Sequence, residues 1–192
     1  MAEAFVRRLT LGVPVATESY GTLELENTPA LPEAVELARA CGVDVGDHRS
    51  RWLGDASLAD SDLVVGFEEA HIRAAVVEAG AQRSRSFTFR HLARLLAALP
   101  DAADDAVVTR ARGLVQQADA LRTAELPATI ADNMRDPLGA PWKVQRETAV
   151  EIRRLSQELV AALFGVTGST GLPPLPAKLR RGSRLRARLR LG

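Results

Sequence analysis

The chain has 192 residues, 46% hydrophobic and 26% charged, enough to bury one core of about 150 to 170 residues with extensions. No stretch approaches the roughly 20 apolar residues that a membrane span needs, and the single cysteine, Cys41, excludes an internal disulfide and a multi-cysteine metal site. A cytoplasmic protein with no transmembrane segment, metal or cofactor is expected.

The net charge of +1 conceals an asymmetry. Residues 1–165 hold 18 Lys and Arg against 24 Asp and Glu, a balance of −6, whereas residues 166–192 hold 7 Lys and Arg and no acid, a balance of +7. An acidic body therefore carries a basic tail.

Residues 2–9 are predicted to form a helix with Phe5, Val6 and Leu9 on one apolar face, and Gly12 stops it. Residues 13–17 have the β-branched content of a strand and lead into the turn Glu18-Ser19-Tyr20-Gly21-Thr22. Pro32 opens a second helix, residues 32–40, whose buried side carries Ala34, Val35, Leu37, Ala38 and Cys41, with Gly42 as its stop. His48-Arg49-Ser50-Arg51 is polar and basic, and residues 57–62 suit a short helical turn.

The run Leu63-Val64-Val65-Gly66-Phe67 is continuously apolar, as in a strand buried on both faces of a parallel sheet. It feeds a helix over 68–78 with Ile72, Ala75 and Val76 inward, ended by Gly80. Residues 84–89 suit another strand, with Phe87 and Phe89 alternating onto one face. A short helix over 91–99 follows, then a long Ala-rich, charged helical stretch over 101–126 that Gly113 interrupts. A polar loop, Ala131-Asp132-Asn133-Met134-Arg135-Asp136-Pro137-Leu138-Gly139, precedes a closing helix over 142–164, whose apolar stripe is Val150, Ile152, Leu155, Leu159 and Leu163. The remainder, rich in Gly and Pro and then alternating Arg and Leu, favours a flexible linker and an exposed arm.

Helix and strand alternate in this order, the rhythm of a doubly wound parallel α/β sheet. It starts on a helix, although crossover units start on a strand, and three strands are few for so many helices.

The opening Met1-Ala2-Glu3-Ala4-Phe5 resembles the segment that follows the phosphate loop of low-molecular-weight protein-tyrosine phosphatases, where a strand, a Cys, five residues and Arg-Ser-Pro run into the first helix. Ser19-Tyr20-Gly21-Thr22 resembles that family's Ser-Ala-Gly-Thr, His48-Arg49-Ser50-Arg51 its His-x-Ser-Arg segment, and Arg135-Asp136-Pro137 its Asp-Pro loop. The resemblance covers residues 1–165. It implies a sheet of that family's type lacking its first, central strand and its phosphate loop, with 101–126 as a helical insertion and 166–192 as a flexible basic tail. It also places the true start upstream of Met1.

The implied reaction is hydrolysis of a phosphate monoester, on a phosphotyrosine protein or a small phosphate ester, through a cysteinyl-phosphate. That chemistry needs a thiolate at a helix N-terminus, amide and guanidinium donors for the phosphoryl oxygens, and an acid for the leaving oxygen. The resemblance implies that Asp136 is the general acid and that Ser19 and His48 support the phosphate loop. Leu138 stands where the family usually has an aromatic residue. Read on residue chemistry alone, Asp136 also suits an ordinary Asp-Pro turn, Ser19 a turn serine and His48 an exposed histidine.

Cys41 has Asp47, not Arg, six residues on, and it lies on the apolar side of a helix end, where a structural cysteine is expected. The lack of further thiols argues against the arsenate reductases of the same superfamily. The chain as given is therefore expected to be inactive. The alternative is a non-catalytic binding module that uses the cleft or the basic tail, with anionic surfaces as the tail's partners.

Overall fold

Phe5 and Leu9, one turn apart on α1 (Ala2–Leu9), are both buried, and the helix lies against the last helix of the chain. Glu3 in its first turn and Arg7 and Arg8 in its last oppose the helix dipole at each end. The structure is a computed structural model and describes residues 1–100, 106–166 and 172–176.

Pro32 begins α2 (Pro32–Ala40), where its missing N–H costs nothing and its fixed φ suits the first turn. Two short strands follow, β1 (Val64–Gly66) and β2 (Ser86–Thr88), which pair in parallel with Val64 opposite Ser86 and Gly66 opposite Thr88. They are joined by α3 (Glu69–Ala79), which Gly80 ends in the left-handed conformation at φ +72. The three remaining helices are α4 (Phe89–Ala98), α5 (Val107–Ala124) and α6 (Trp142–Phe164). One continuous core draws Phe5, Leu37, Phe87, Leu92, Val115 and Leu155 from α1, α2, β2, α4, α5 and α6. A smaller cluster of Leu53, Ala75, Ala79 and Ala81 lies under α3.

This is an α/β chain with a parallel sheet, but the expected three strands are two among the described residues. Residues 13–17 alternate half-buried and exposed in the manner of a strand, yet they join no ladder. A strand is completed by a neighbour's N–H and C=O groups, which local propensity cannot supply. The last expected strand is also shorter than its sequence suggests. Phe87 is in β2, whereas Phe89 already belongs to α4, and both are buried.

The stretch expected to be helical over 101–126 is α5 from Val107, and residues 101–105 lie outside the described ones. Gly113 does not break it. A mid-helix glycine costs about 1 kcal/mol, and the burial of Leu114, Val115 and Ala118 offsets that cost. Side-chain bonds tie α5 to both strand entrances. Arg112 closes a two-pronged pair with Asp62 at 2.8 and 3.2 Å. The buried Arg122 lies 4.3 Å over the Phe87 ring and donates to the Ser86 carbonyl at 2.8 Å.

Of the stretch 166–192, residues 167–171 and 177–192 lie outside the described ones. Leu172 packs on the main core, and the Pro173 carbonyl accepts a 2.7 Å bond from the buried Arg153. No helix among the described residues is long and apolar enough to cross a membrane.

Candidate functional site

The first turn of α1 gathers two of the three residues singled out from the sequence. Glu3 keeps 9% of its side chain exposed. Its carboxylate accepts the Ser19 hydroxyl and pairs with Arg7 one turn along. His48 Nδ1 stands 3.9 Å from the same carboxylate. Ser19 and His48, 29 positions apart in sequence, thus meet at one acidic side chain beside the helix N-terminus.

Burial lowers the His48 pKa, and the positive Met1 amino group adds to the effect, while Glu3 pulls the other way; the balance favours a neutral ring. The Met1 amino group is itself pushed down by burial, against the pull of Glu3. Beside this cluster Tyr20 donates to Glu18 at 2.6 Å, and the Arg51 guanidinium lies 4.6 Å over the Tyr20 ring.

Asp136 is on the loop between α5 and α6, exposed, and accepts a 2.9 Å bond from the Leu138 N–H. No hydrogen bond or ion pair joins it to Ser19, His48 or Glu3. Its local geometry is that of an Asx turn.

The approach to Asp136 is pinned on three sides. Met134 N–H donates to the Phe67 carbonyl at 2.6 Å, just past β1, and Asn133 Oδ1 accepts the Glu69 N–H at 2.9 Å, satisfying an orphan donor at the start of α3. On the third side Arg90 of α4 donates to the Asn133 carbonyl at 2.7 Å and grips Glu151 of α6 through two 2.8 Å bonds. Arg94, one turn on, pairs with Asp132 at 2.9 Å and donates to the Pro127 carbonyl at 2.9 Å. Burial raises the Asp132 pKa, but Arg94 and two Thr129 donors outweigh it and hold the carboxyl below its ordinary value. The loop therefore leaves the body at the carboxyl end of β1, where open parallel sheets place their ligand sites.

The sequence reading missed Glu3, Arg90, Arg94 and Asn133 as organisers of this region. One local signal was available: Thr129-Ile130-Ala131-Asp132 forms a capping box, a pattern readable at three-residue spacing. The partners of Arg90 and Arg94 lie at least 33 positions away and leave no such signal.

Cys41 does not fit a nucleophile. It is fully buried, burial pushes its thiol up against the opposing effect of Arg153, and its carbonyl accepts a 2.9 Å bond from Arg153. A low-pKa, accessible thiol is what nucleophilic attack requires.

Comparison with known proteins supplies a family. A family model described as low molecular weight phosphotyrosine protein phosphatase matches residues 1–104, just over half of the 192-residue chain. The chain is 34% identical over 65 residues to the "Probable low molecular weight protein-tyrosine-phosphatase EpsP" of Ralstonia nicotianae, and equally to the protein of that name in Ralstonia solanacearum. Each match covers 34% of this chain and 43% of the relative, so the chain spans less than half the length of the curated relatives it matches. No solved structure matches it.

Proposed function

Because the chain belongs to the low molecular weight phosphotyrosine protein phosphatase family, we propose that it is the part of a phosphate monoester hydrolase that surrounds the phosphate loop without containing it. Its substrates on this reading are phosphotyrosine proteins or small phosphate esters, handled without metal or cofactor. The observation that carries the reading is the meeting of Ser19 and His48 at Glu3 beside the N-terminus of α1. A helix N-terminus presents free N–H groups to an anion, and a hydroxyl and a neutral imidazole next to it can brace a loop that wraps a phosphoryl group.

The strand edges support the same reading. Residues 13–17 join no ladder, and Val65, central in β1, is 36% exposed, whereas an inner strand of a doubly wound sheet is covered on both faces. A further strand between them would complete both edges. Asp136 would then protonate the leaving oxygen and help water attack the phosphoenzyme. The 192-residue chain has Cys41 as its sole thiol, buried and followed at six residues by Asp47, and is inactive on this reading.

A second reading, a non-catalytic module that binds through the cleft or the basic tail, is favoured by the continuous core that the helices and β2 close among themselves. Two measurements separate them. Translation of the upstream DNA in frame should give a strand followed by Cys, five residues and Arg-Ser-Pro; a stop before any such stretch rejects the first reading. A form extended by that stretch should hydrolyse an aryl phosphate while the 192-residue chain does not. Failure of the extended form to turn over rejects it as well, and cooperative unfolding of the 192-residue chain alone favours the module.

A further inference from the structure

Helix α5 turns one face toward the segment that enters β2. Arg112, Val115, Gln116 and Asp119 stand at the i, i+3, i+4 and i+7 spacing of a single helix stripe, and opposite them lie Ser84 and Arg85 of the turn Arg83–Arg85. Between the two walls is a crevice of about 210 Å³. It lies at the amino ends of the parallel strands, because Asp62, also in its lining, precedes β1 and Arg85 precedes β2. The Asp136 loop leaves from the carboxyl end of β1, so the crevice is separate from the candidate site.

Bonds between the walls fix its width. At one end Arg112 grips Asp62 at 2.8 and 3.2 Å. At the other Arg122 pairs with Asp119 and donates to the carbonyls of Ser86 and Arg83 at 2.8 and 3.0 Å. Walls tied in this way lose little freedom when a ligand enters. The same bonds occupy both carboxylates of the lining. The half-buried Arg85 side chain makes no hydrogen bond or ion pair among the described residues, and neither do the side chains of Ser84 and Gln116. One unpaired guanidinium and two neutral hydrogen-bonding groups thus share a space with the buried Val115.

Charge and size select the ligand. With Asp62 and Asp119 paired, Arg85 leaves one positive charge to balance, and a guanidinium fork meets a carboxylate through two parallel bonds. A phosphoryl group carries nearly two negative charges at neutral pH and would be repelled by both carboxylates. The volume is below the roughly 300 Å³ at which pockets for drug-sized ligands begin, which suits an acid of a few carbons. Ser84 and Gln116 add partners for a hydroxyl on that acid.

We propose that this crevice is a second ligand site that takes a small hydroxycarboxylate, with Arg85 holding the carboxylate and Ser84 and Gln116 bonding the hydroxyl. The site does not depend on turnover, so binding alone tests it, and its failure would leave the hydrolase reading untouched. In an amide NMR titration of the full isotope-labelled chain with glycolate, signals of residues 82–86 and 112–119 should shift and saturate with a Kd of about 1 mM. Those of Glu3, Ser19 and His48 should stay in place. Acetate, which lacks the hydroxyl, should bind more weakly, and Ser84→Ala with Gln116→Ala should erase that difference. Arg85→Gln should weaken glycolate binding about tenfold or more. Arg85→Lys keeps the charge and loses the fork, so its affinity should fall between those of the parent and the glutamine variant.

Four outcomes would overturn the proposal: no saturable shift at these residues, equal shifts from sodium chloride at matched ionic strength, tighter binding of inorganic phosphate than of glycolate, or parental affinity in either Arg85 variant. The first three need no variant to fold.

Discussion

Arg90 and Glu151, 61 positions apart, close a two-pronged ion pair at 2.8 Å through both arms of the guanidinium, and the third nitrogen donates to the Asn133 carbonyl at 2.7 Å. One side chain of α4 thereby joins α6 to the loop that carries Asp136. Both partners are about one-third exposed, so water screens the pair and its strength lies in the geometry of the fork.

Arg90→Gln should therefore cost about 1 to 3 kcal/mol, because it strands Glu151 and the Asn133 carbonyl together. Arg90→Lys keeps the charge and loses the fork, so it should recover less than half of that. Urea unfolding of the three proteins gives the ranking. A lysine variant as stable as the parent would mean that charge alone suffices.

The closing helix was legible because its apolar stripe recurs from Val150 to Leu163 and Gly165 stops it. α6 runs from Trp142 to Phe164 as its sequence indicates. β1 was legible because Val64 and Val65 sit in an unbroken apolar run. The strand expected at 13–17 failed for a different reason: its residues alternate in burial as a strand would, but the Val15 N–H turns back to the Val13 carbonyl at 2.8 Å, and pairing belongs to the neighbour as much as to the segment. Phe89 shows the same limit. As the first residue of α4 it is buried in the main core against the Phe67 ring, 6.3 Å between centroids, and a count of alternating aromatics reads that burial as strand. At the site, Ser19 and His48 were named from motif resemblance, whereas Glu3, to which both turn, was not, because its role exists only once the turn, the basic loop and α1 meet.

The buried guanidinium of Arg153 donates to Cys41 and Pro173 at 2.9 and 2.7 Å, which divides the C-terminal stretch into two parts by their effect on stability. Removing residues 177–192 should change stability by no more than about 0.5 kcal/mol, as for surface changes generally. Removing residues 167–192 takes the Pro173 acceptor from a buried donor and should cost about 1 to 3 kcal/mol. Gly42→Ala should resemble the longer truncation, because φ +97 disfavours a side chain and its Cβ would strike Pro173. Denaturant midpoints of the three variants test this; equal midpoints for the two truncations would show that the Pro173 contact contributes nothing.

Stability should also fall as the solution is acidified through the histidine range. His91 is buried and donates from Nε2 to the Leu126 carbonyl at 2.8 Å; burial lowers its pKa despite that bond and nearby Asp132, with Arg94 and Arg122 adding to the lowering. His48 is lowered as well. The unfolded chain then takes up protons more readily than the folded one. Stability is whole above about pH 6.5 and declines as the pH drops from there toward the depressed folded values. Asp132 and Glu151 act in a separate, more acidic window, because their lowered pKa values hold stability down to below about pH 4. Melting curves from about pH 7.5 to 5 should show the decline, and His91→Gln, which keeps a donor for Leu126 but no titrating ring, should flatten it. Parallel curves for the two proteins would remove His91 from the account.

Asp136 has the most demanding test, since its proposed task is protonation and its structural surroundings are those of a turn. The side chain accepts only the Leu138 N–H, so Asp136→Asn can keep the turn while removing the proton. In the form that carries the phosphate loop, loss of a general acid should lower the rate about 100- to 10,000-fold for an alkyl phosphate, whose leaving oxygen needs the proton. The loss should be much smaller for an aryl phosphate with an acidic phenol, because that leaving group departs as an anion. A residue that merely shapes the loop would depress both substrates alike, and the ratio of the two losses therefore decides the role.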